Sequence, residues 1–416
     1  MSTRGEHLVR ADRAFATGGG TLARLAAPAF SKVLEQLDRR LAIGGIETTL
    51  PDGSSRRLGF HKPGPKAIVH LSSWMALLRL ATSGSVGWYK AWSLGEWSSP
   101  DPVKIFELFS ANAVALGDVG RAKGPFRLVN AIAHRFRDNA PGRARENIAA
   151  HYDLGNDFYA AWLDPTMTYS SARFASAGES LEAAQLRKIH DLLDRLPLES
   201  GDRLLEIGCG WGTLAIEAAK RGAHVVGLTL STEQKAWAEE KIAAAGLSDD
   251  IEIRLQDYRD TDEQFDAVAS VEMVEAVGQR WWDAYLACIA RNLKPGGRAA
   301  LQYISIEHPI FDRYARSADF IQAYVFPGGC LIDEPQFKGI AAENHLSWSD
   351  RVGFGLDYAE TLERWRKRYD EAVADGALGG FGEPFHRLWR YYLMYCEGGF
   401  RGGAIDVAQV TLSRET

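Results

Sequence analysis

Leu204-Leu205-Glu206-Ile207-Gly208-Cys209-Gly210-Trp211-Gly212 is the stretch that decides the fold of this 416-residue chain. An apolar run carrying one acid reads as a buried strand, three glycines at alternate positions end it, and a helical pattern from Leu214 to Lys220 follows. Glycine lets a backbone turn sharply and approach a ligand closely, and the helix beyond it points free N–H groups the same way. A strand, a glycine loop and a helix in that order form one half of a nucleotide-cofactor site.

Outward from this stretch the same alternation continues. Leu181 to Leu196 reads as a helix, Val225 to Leu230 as a strand and Thr232 to Ala245 as a helix. Ile251 to Leu255, Ala267 to Val271 and Arg298 to Ile306 read as further strands, with a helix through Trp281 to Asn292. Strands alternating with helices imply a parallel, doubly wound sheet covered on both faces. Before it, Ile46 to Phe60 carries a hairpin signal around Pro51-Asp52-Gly53, and an apolar helical pattern follows Pro100-Asp101-Pro102. That front part reads as a small mixed α/β module.

The glycine spacing narrows the cofactor. A dinucleotide loop has the form G-x-G-x-x-G and wants an acid after the next strand. Here the spacing is G-x-G-x-G, and the second strand ends in Gly227-Leu228-Thr229-Leu230-Ser231. The acid instead precedes the glycines, at Glu206, where it can receive hydrogen bonds from a cationic α-amino group. This favours S-adenosylmethionine over NAD, although an acid that caps the following helix is compatible with either.

Composition restricts the remaining classes. With 46% apolar and 25% charged residues the chain is ordinary globular material, long enough for two domains. Cys209, Cys288, Cys330 and Cys396 are far apart, with no C-x-x-C pair and no histidine at ligand spacing, so reduced thiols in a cytosolic protein and no metal site are expected. The N-terminus carries charges and no apolar run, so no secretory signal is expected, and no window reaches the roughly eighteen apolar residues of a membrane span. The charge is uneven. Residues 1–150 hold 21 Lys and Arg against 12 Asp and Glu, the rest 27 against 42. Arg121, Lys123, Arg127, Arg135, Arg137, Arg143 and Arg145 interleave with Leu128, Val129, Ile132 and Phe136, which reads either as a basic amphipathic helix for an anionic membrane or as a solvated linker face. The acidic remainder argues against nucleic acid as a partner.

A second stretch names the substrate class. His151-Tyr152-Asp153-Leu154-Gly155-Asn156-Asp157-Phe158-Tyr159, Leu163-Asp164-Pro165-Thr166-Met167-Thr168-Tyr169-Ser170 and the glycine loop stand in order, followed by Gly227-Leu228-Thr229-Leu230-Ser231-Thr232-Glu233-Gln234 and Val274-Glu275-Ala276-Val277-Gly278. Asn292 to Gly297, Phe326 to Gly329 and Asp357 to Leu362 complete the set. With these motifs the chain resembles the cyclopropane-fatty-acyl-phospholipid synthases, including the mycolic acid cyclopropane synthases, from about Gly84 to the C-terminus.

The resemblance implies a class I methyltransferase (Rossmann-like) α/β sheet behind a smaller N-terminal mixed α/β domain. The boundaries expected are 1–120 for a basic, lipid-facing domain, 121–146 for a basic linker or helix, and 147–416 for a methyltransferase domain with an acyl pocket. It implies S-adenosylmethionine held by Tyr169, Ser170, Glu206, Gly208, Gly210, Gly212, Thr229, Leu230, Gln234, Asp257 and Tyr258. For Tyr258 taken alone, ordinary packing is the better expectation. The implied reaction adds a methylene carbon to the cis double bond of an acyl chain in membrane phospholipid, giving a cyclopropane ring, with bound bicarbonate as base. The implied anion site is Ser171, Glu275, Gln302, Ile304 and Tyr358. Serine at 171 and glutamine at 302 stand where cysteine and histidine are common in the family, which keeps open a methylene or methyl-branched product. A non-catalytic lipid or cofactor-binding protein is the rival from another class, and retention of Glu275 and Tyr358 argues against it. A homodimer, cytoplasmic and peripheral at the inner face of the membrane, is also implied. Glu272, three residues before Glu275, is expected at solvent or at a helix cap. Trp281, Trp282, Phe320, Tyr324, Phe326, Trp389, Tyr391, Tyr392 and Tyr395 suit an acyl tunnel as a group, although most of them individually read as core.

Overall fold

The computed structural model describes residues 4–10, 27–117 and 154–415. The basic segment 121–145 and His151 to Asp153 therefore lie outside the described residues. The chain divides into two compact units. One comprises Met1–Asp138, Glu307–Gly328 and Gly379–Ile405; the other comprises Asn139–Ile306, Gly329–Leu378 and Asp406–Thr416.

The first unit carries a four-stranded sheet in the order β2-β1-β3-β4, from β1 (Gly45–Thr49), β2 (Ser55–Gly59), β3 (Lys66–Leu71) and β4 (Trp97–Ser98). The hairpin read from the sequence is β1 and β2, antiparallel with Ile46 opposite Leu58. Its turn is fixed by Asp52, whose Oδ1 accepts from the Ser54 N–H at 2.9 Å, and Gly53 takes φ 83°. β3 then pairs parallel to β1, and helix Met75–Ser93 follows.

These units do not follow the linear division at residues 120 and 146. Helix Glu383–Gly402, far along the chain, packs along helix Pro102–Ala111, where the Ser110 hydroxyl donates to the Gly399 carbonyl at 2.6 Å. A Cβ at Gly398 would lie 2.4 Å from Phe106 Cβ, so only glycine permits this approach. The expected tunnel aromatics are explained by the same contact. Phe320, Tyr324 and Tyr391 are at most 1% exposed and form one ring cluster with Tyr89 and Phe106, with centroids 4.6–5.2 Å apart for the pairs Tyr89–Tyr324, Tyr89–Tyr391 and Phe106–Tyr391. They are the core of the first unit. Trp282 belongs to the second unit, where it is buried edge-on to Phe337.

The second unit holds a seven-stranded sheet in the order β10-β11-β9-β8-β5-β6-β7. Its strands are β5 (Arg203–Ile207), β6 (His224–Thr229), β7 (Ile251–Leu255), β8 (Phe265–Val271), β9 (Leu293–Ile306), β10 (Leu346–Gly353) and β11 (Ile405–Arg414). β5 pairs parallel with both β6 and β8, and β8 pairs parallel with β9, as alternation with helices requires. The sheet departs from the wholly parallel expectation at one edge, where β10 and β11 form an antiparallel pair. Leu204, Val225, Ala267 and Ala300 from four strands are buried with Leu214, Ala218 and Ala238 from the covering helices. Among the described residues no helix is long and apolar enough to cross a membrane.

Candidate active site

β5 delivers Glu206, 3% exposed, to the C-terminal edge of the sheet, and the chain then turns through the glycines. Gly208 has φ 84°, and a Cβ there would lie 2.2 Å from Met273 Cγ, so a side chain is barred by conformation and by packing together. At Gly210, φ 52°, a Cβ would stand in open space, which leaves that face of the loop to a ligand. The loop is fastened to the neighbouring strand, because the Gly208 and Cys209 N–H groups both donate to the Leu228 carbonyl, at 3.0 and 2.9 Å.

Beside it, Thr229, Leu230 and Gln234 meet at the end of β6. The Thr229 hydroxyl donates to Gln234 Oε1 at 3.0 Å, and Ser231 caps the next helix by accepting from the Gln234 N–H at 3.2 Å. Asp257 follows β7, and its carboxylate accepts from three N–H groups of Arg259 at 2.6–3.0 Å. Burial pushes this carboxyl up, but the Arg259 bonds outweigh it and hold the group below the usual range. Tyr258 is 9% exposed and packs edge-on to Tyr285 with centroids 5.5 Å apart, as expected of a packed ring.

The leader motif closes this loop from the outside. Trp211 Nε1 donates to Asn156 Oδ1 at 2.8 Å, and Asn156 Nδ2 donates to the Glu233 carbonyl at 3.2 Å. Tyr159 packs at a tilt against Trp211 and Tyr169, with centroids at 5.2 and 5.4 Å. Two polar residues unnoticed in the sequence then fix Ser170: Gln185 Nε2 donates to its carbonyl at 2.8 Å and Lys188 Nζ to its hydroxyl at 2.5 Å. Both come from helix Leu181–Leu193 and both are 0% exposed. The sequence did contain a signal, because positions 185 and 188 fall on the stripe of Leu181, Ala184, Ile189 and Leu192 that faces the core.

The proton-handling residues gather past the end of β8. Glu272 is neither a solvent residue nor a cap. Its Oε1 accepts from the Ser171 N–H at 2.9 Å and from Gln302 Nε2 at 2.8 Å, and its Oε2 accepts from the Tyr358 hydroxyl at 2.8 Å. The reason is local backbone: Glu272 takes φ 50°, a left-handed turn that ends β8 and swings the side chain inward, while Glu275 lies on the following short helix Val274–Val277. Glu275 Oε1 accepts from the Ile304 N–H, and its Oε2 is buried without a hydrogen-bond partner. As whole residues the two glutamates keep partial exposure, but their carboxyl groups are enclosed.

Burial dominates the electrostatics. It pushes Glu275 up to about 8, helped by the charge of Glu272, and it raises Glu272 against the pull of Lys188 and its three donors. Lys188 is driven down to about 8 by burial, against the attraction of Glu272, Asp164 and Glu206. Glu206 is likewise pushed up to about 8, and its Oε2 has no hydrogen-bond partner. An enclosed, unpartnered carboxylate oxygen beside an open glycine face fits a ligand that brings an ammonium group, as S-adenosylmethionine does. Among the described residues no group of His, Cys, Asp and Glu could hold a metal ion.

Comparison with known proteins agrees with this geometry. Residues 140–410 match the family described as mycolic acid cyclopropane synthetase. The chain is 41% identical over 363 residues to a tuberculostearic acid methyltransferase of Mycobacterium tuberculosis, covering 84% of each chain. It is 36% identical over 351 residues to the cyclopropane-fatty-acyl-phospholipid synthase of Escherichia coli strain K12, covering 81% of this chain and 85% of that one. A mycolic acid cyclopropane synthase solved as a complex with SAH and CTAB superposes with a TM-score of 0.61 at 32% identity, covering 65% of this chain and 98% of that one. The chain belongs to the mycolic acid cyclopropane synthetase family of S-adenosylmethionine-dependent methyltransferases.

Proposed function

We propose that this chain transfers the methyl carbon of S-adenosylmethionine to the cis double bond of an unsaturated acyl chain in membrane phospholipid, working at the inner face of the membrane. The co-substrate supplies an electrophilic sulfonium methyl, and the alkene supplies the electron pair. Methyl transfer leaves a carbocation on the acyl chain, and a proton must then leave. The observation that carries the reading is the convergence of Ser171, Gln302 and Tyr358 on an enclosed carboxylate beside Glu275. Such a group suits proton removal, and cofactor binding alone has no use for it.

Two products are consistent with methyl transfer: a cyclopropane ring formed with bound bicarbonate, or a methylene or methyl-branched chain. The donors assigned to bicarbonate are already engaged. Gln302, Tyr358 and the Ser171 N–H serve Glu272, Ile304 serves Glu275, and the Ser171 hydroxyl donates to the Ala172 carbonyl at 2.9 Å. This favours the product formed without the free anion, and the 41% identity to a tuberculostearic acid methyltransferase points the same way. The cyclopropane and methylene products of one oleoyl chain are isomers of equal mass, so proton NMR of lipid from expressing cells decides between them. Exocyclic methylene signals are expected; high-field cyclopropyl protons in their place overturn the choice. For the basic front, binding to anionic vesicles that weakens with salt is expected, and sedimentation indifferent to lipid charge removes the membrane from the reading.

A further inference from the structure

We propose that Glu272 is the base of the reaction, a carboxylate tethered to the chain that takes the proton for which a diffusible anion was expected. This rests on the reading of the protein as an acyl-chain methyltransferase.

The geometry is that of a built anion site whose anion is a side chain. Three donors from three separate segments reach the two oxygens of Glu272: the Ser171 N–H, Gln302 Nε2 on β9, and the Tyr358 hydroxyl on helix Gly355–Ala374. These are the positions that the family likeness gives to a bound anion. A free bicarbonate would need the same three donors, and they are spent. The amide of Gln302 is held in the necessary orientation from behind, because its Oε1 accepts from Gln409 Nε2 at 3.1 Å while Gln409 Oε1 accepts from Arg195 Nε at 3.3 Å. Gln302 therefore presents its NH2 to the carboxylate, and an amide cannot take the proton itself. On Glu272, Oε1 has two donors and Oε2 only one, which leaves lone-pair capacity on Oε2 for the incoming proton.

Glu275 is the weaker acceptor. Its burial and the neighbouring charge of Glu272 keep it protonated at neutral pH, and it receives one donor where Glu272 receives three. Lys188, the cation nearest in electrostatic terms, opposes the effect of burial on Glu272. The backbone points the same way, because a glutamate at φ 50° sits in the left-handed region that L-residues rarely adopt. Such strain is kept where position matters.

The step balances without an oxidant or reductant. The sulfonium S–CH3 bond breaks as the methyl carbon bonds to one alkene carbon, and positive charge passes to the other. A 1,2-hydride shift moves that charge onto the carbon bearing the methyl group. A methyl C–H bond then breaks, its electron pair forms the exocyclic C=C bond, and the proton goes to Glu272 Oε2. The carboxylic acid returns the proton to solvent after product leaves.

The test uses the full chain with S-adenosylmethionine and dioleoylphosphatidylglycerol vesicles, in buffer freed of carbon dioxide and in buffer with added bicarbonate or formate. Wild-type turnover is expected to agree within about twofold in the two buffers. Glu272→Gly suits the left-handed backbone and so folds; it is expected to lose about a hundredfold or more in turnover and to regain at least tenfold with the added anion. Glu272→Gln keeps the shape, fills the space and is expected to show the loss without the rescue. Cofactor affinity by calorimetry should be unchanged in both variants. A wild type that stalls without bicarbonate, a Glu272→Gly enzyme that loses nothing, or equal loss in both variants without rescue overturns the proposal. A wild type inactive on these vesicles with every anion overturns the functional reading instead.

Discussion

Glu206 and Glu272 leave adjacent parallel strands, β5 and β8, within one sheet edge, yet they are treated in opposite ways. Glu272 has a donor on each oxygen and a third to spare, whereas Glu206 keeps one oxygen buried with no hydrogen-bond partner. A folded protein satisfies nearly all of its buried polar groups, so the difference separates two uses of one residue type. A carboxylate whose donors are built in has its position set before any ligand arrives. A carboxylate that lacks them is completed by the ligand. Lys188 links the two, as its buried ammonium is attracted by both, and by Asp164.

The comparison breaks most visibly beside the carboxylate with built-in donors. Glu275→Gln is expected to lower turnover about a hundredfold with cofactor affinity unchanged, because an amide cannot exchange the proton that the buried Glu275 carboxyl holds beside Glu272, and nothing changes at the glycine loop. Equal turnover in the variant would take Glu275 out of the proton-handling group. At Glu206 the effect moves from rate to affinity. Glu206→Gln should weaken S-adenosylmethionine binding about 10- to 100-fold, in line with about 1.5–3 kcal/mol for a hydrogen bond to a charged group. The sign of its pH dependence follows from burial. With the free protein's carboxyl at about 8, Glu206 is mostly protonated at pH 7 and must lose its proton to meet a cation. Binding at pH 7 is then expected to release a proton, read as a heat that varies with buffer ionisation enthalpy, and Glu206→Gln should abolish that component.

How much of this was legible in the sequence depends on whether a residue's partner is near it in the chain. The glycine loop and Glu206 could be read because strand, turn and helix are contiguous, and β5 (Arg203–Ile207) contains the apolar run that carries the acid. The antiparallel edge could not, because β10 and β11 are about fifty residues apart in sequence and have no helix alternation to announce them. Glu272 was misplaced for a similar reason. Solvent or a helix cap is what its local sequence suggests, but the backbone at Glu272 turns left-handed, and the donors that claim its side chain lie 101, 30 and 86 residues away. Gln409 had a visible sign, as a polar residue inside the apolar run from Val407 to Leu412, although its role as the clamp on Gln302 needs the fold.

Lys188 sharpens the comparison more gently, since it serves both carboxylates. Asp164, Glu206 and Glu272 face its ammonium, and burial brings it down to about 8. It is therefore charged below about pH 8 and neutral above. At saturating cofactor, wild-type kcat is expected to fall severalfold as pH rises through that value, because Glu272 loses its compensating cation. Lys188→Met should be severalfold slower at pH 7 and flat across pH 8. A wild-type decline that persists in the variant assigns the titration to another group.

The smallest effect is expected where the leader motif meets the loop, and it tests whether the incomplete carboxylate depends on loop shape alone. Asn156→Ala removes the acceptor of Trp211 Nε1, a hydrogen bond worth about 0.5–1.5 kcal/mol in stability. Trp211 lies between Gly210 and Gly212, so the change should loosen the loop that presents Glu206 to the ligand. Cofactor affinity is expected to fall about three- to tenfold, while the product and the response to added bicarbonate stay those of the wild type. A changed product from Asn156→Ala would mean that the two carboxylates are coupled through the loop and cannot be assigned separate work. An unchanged product with weaker binding places the leader with Glu206, on the side of the site that a ligand must complete.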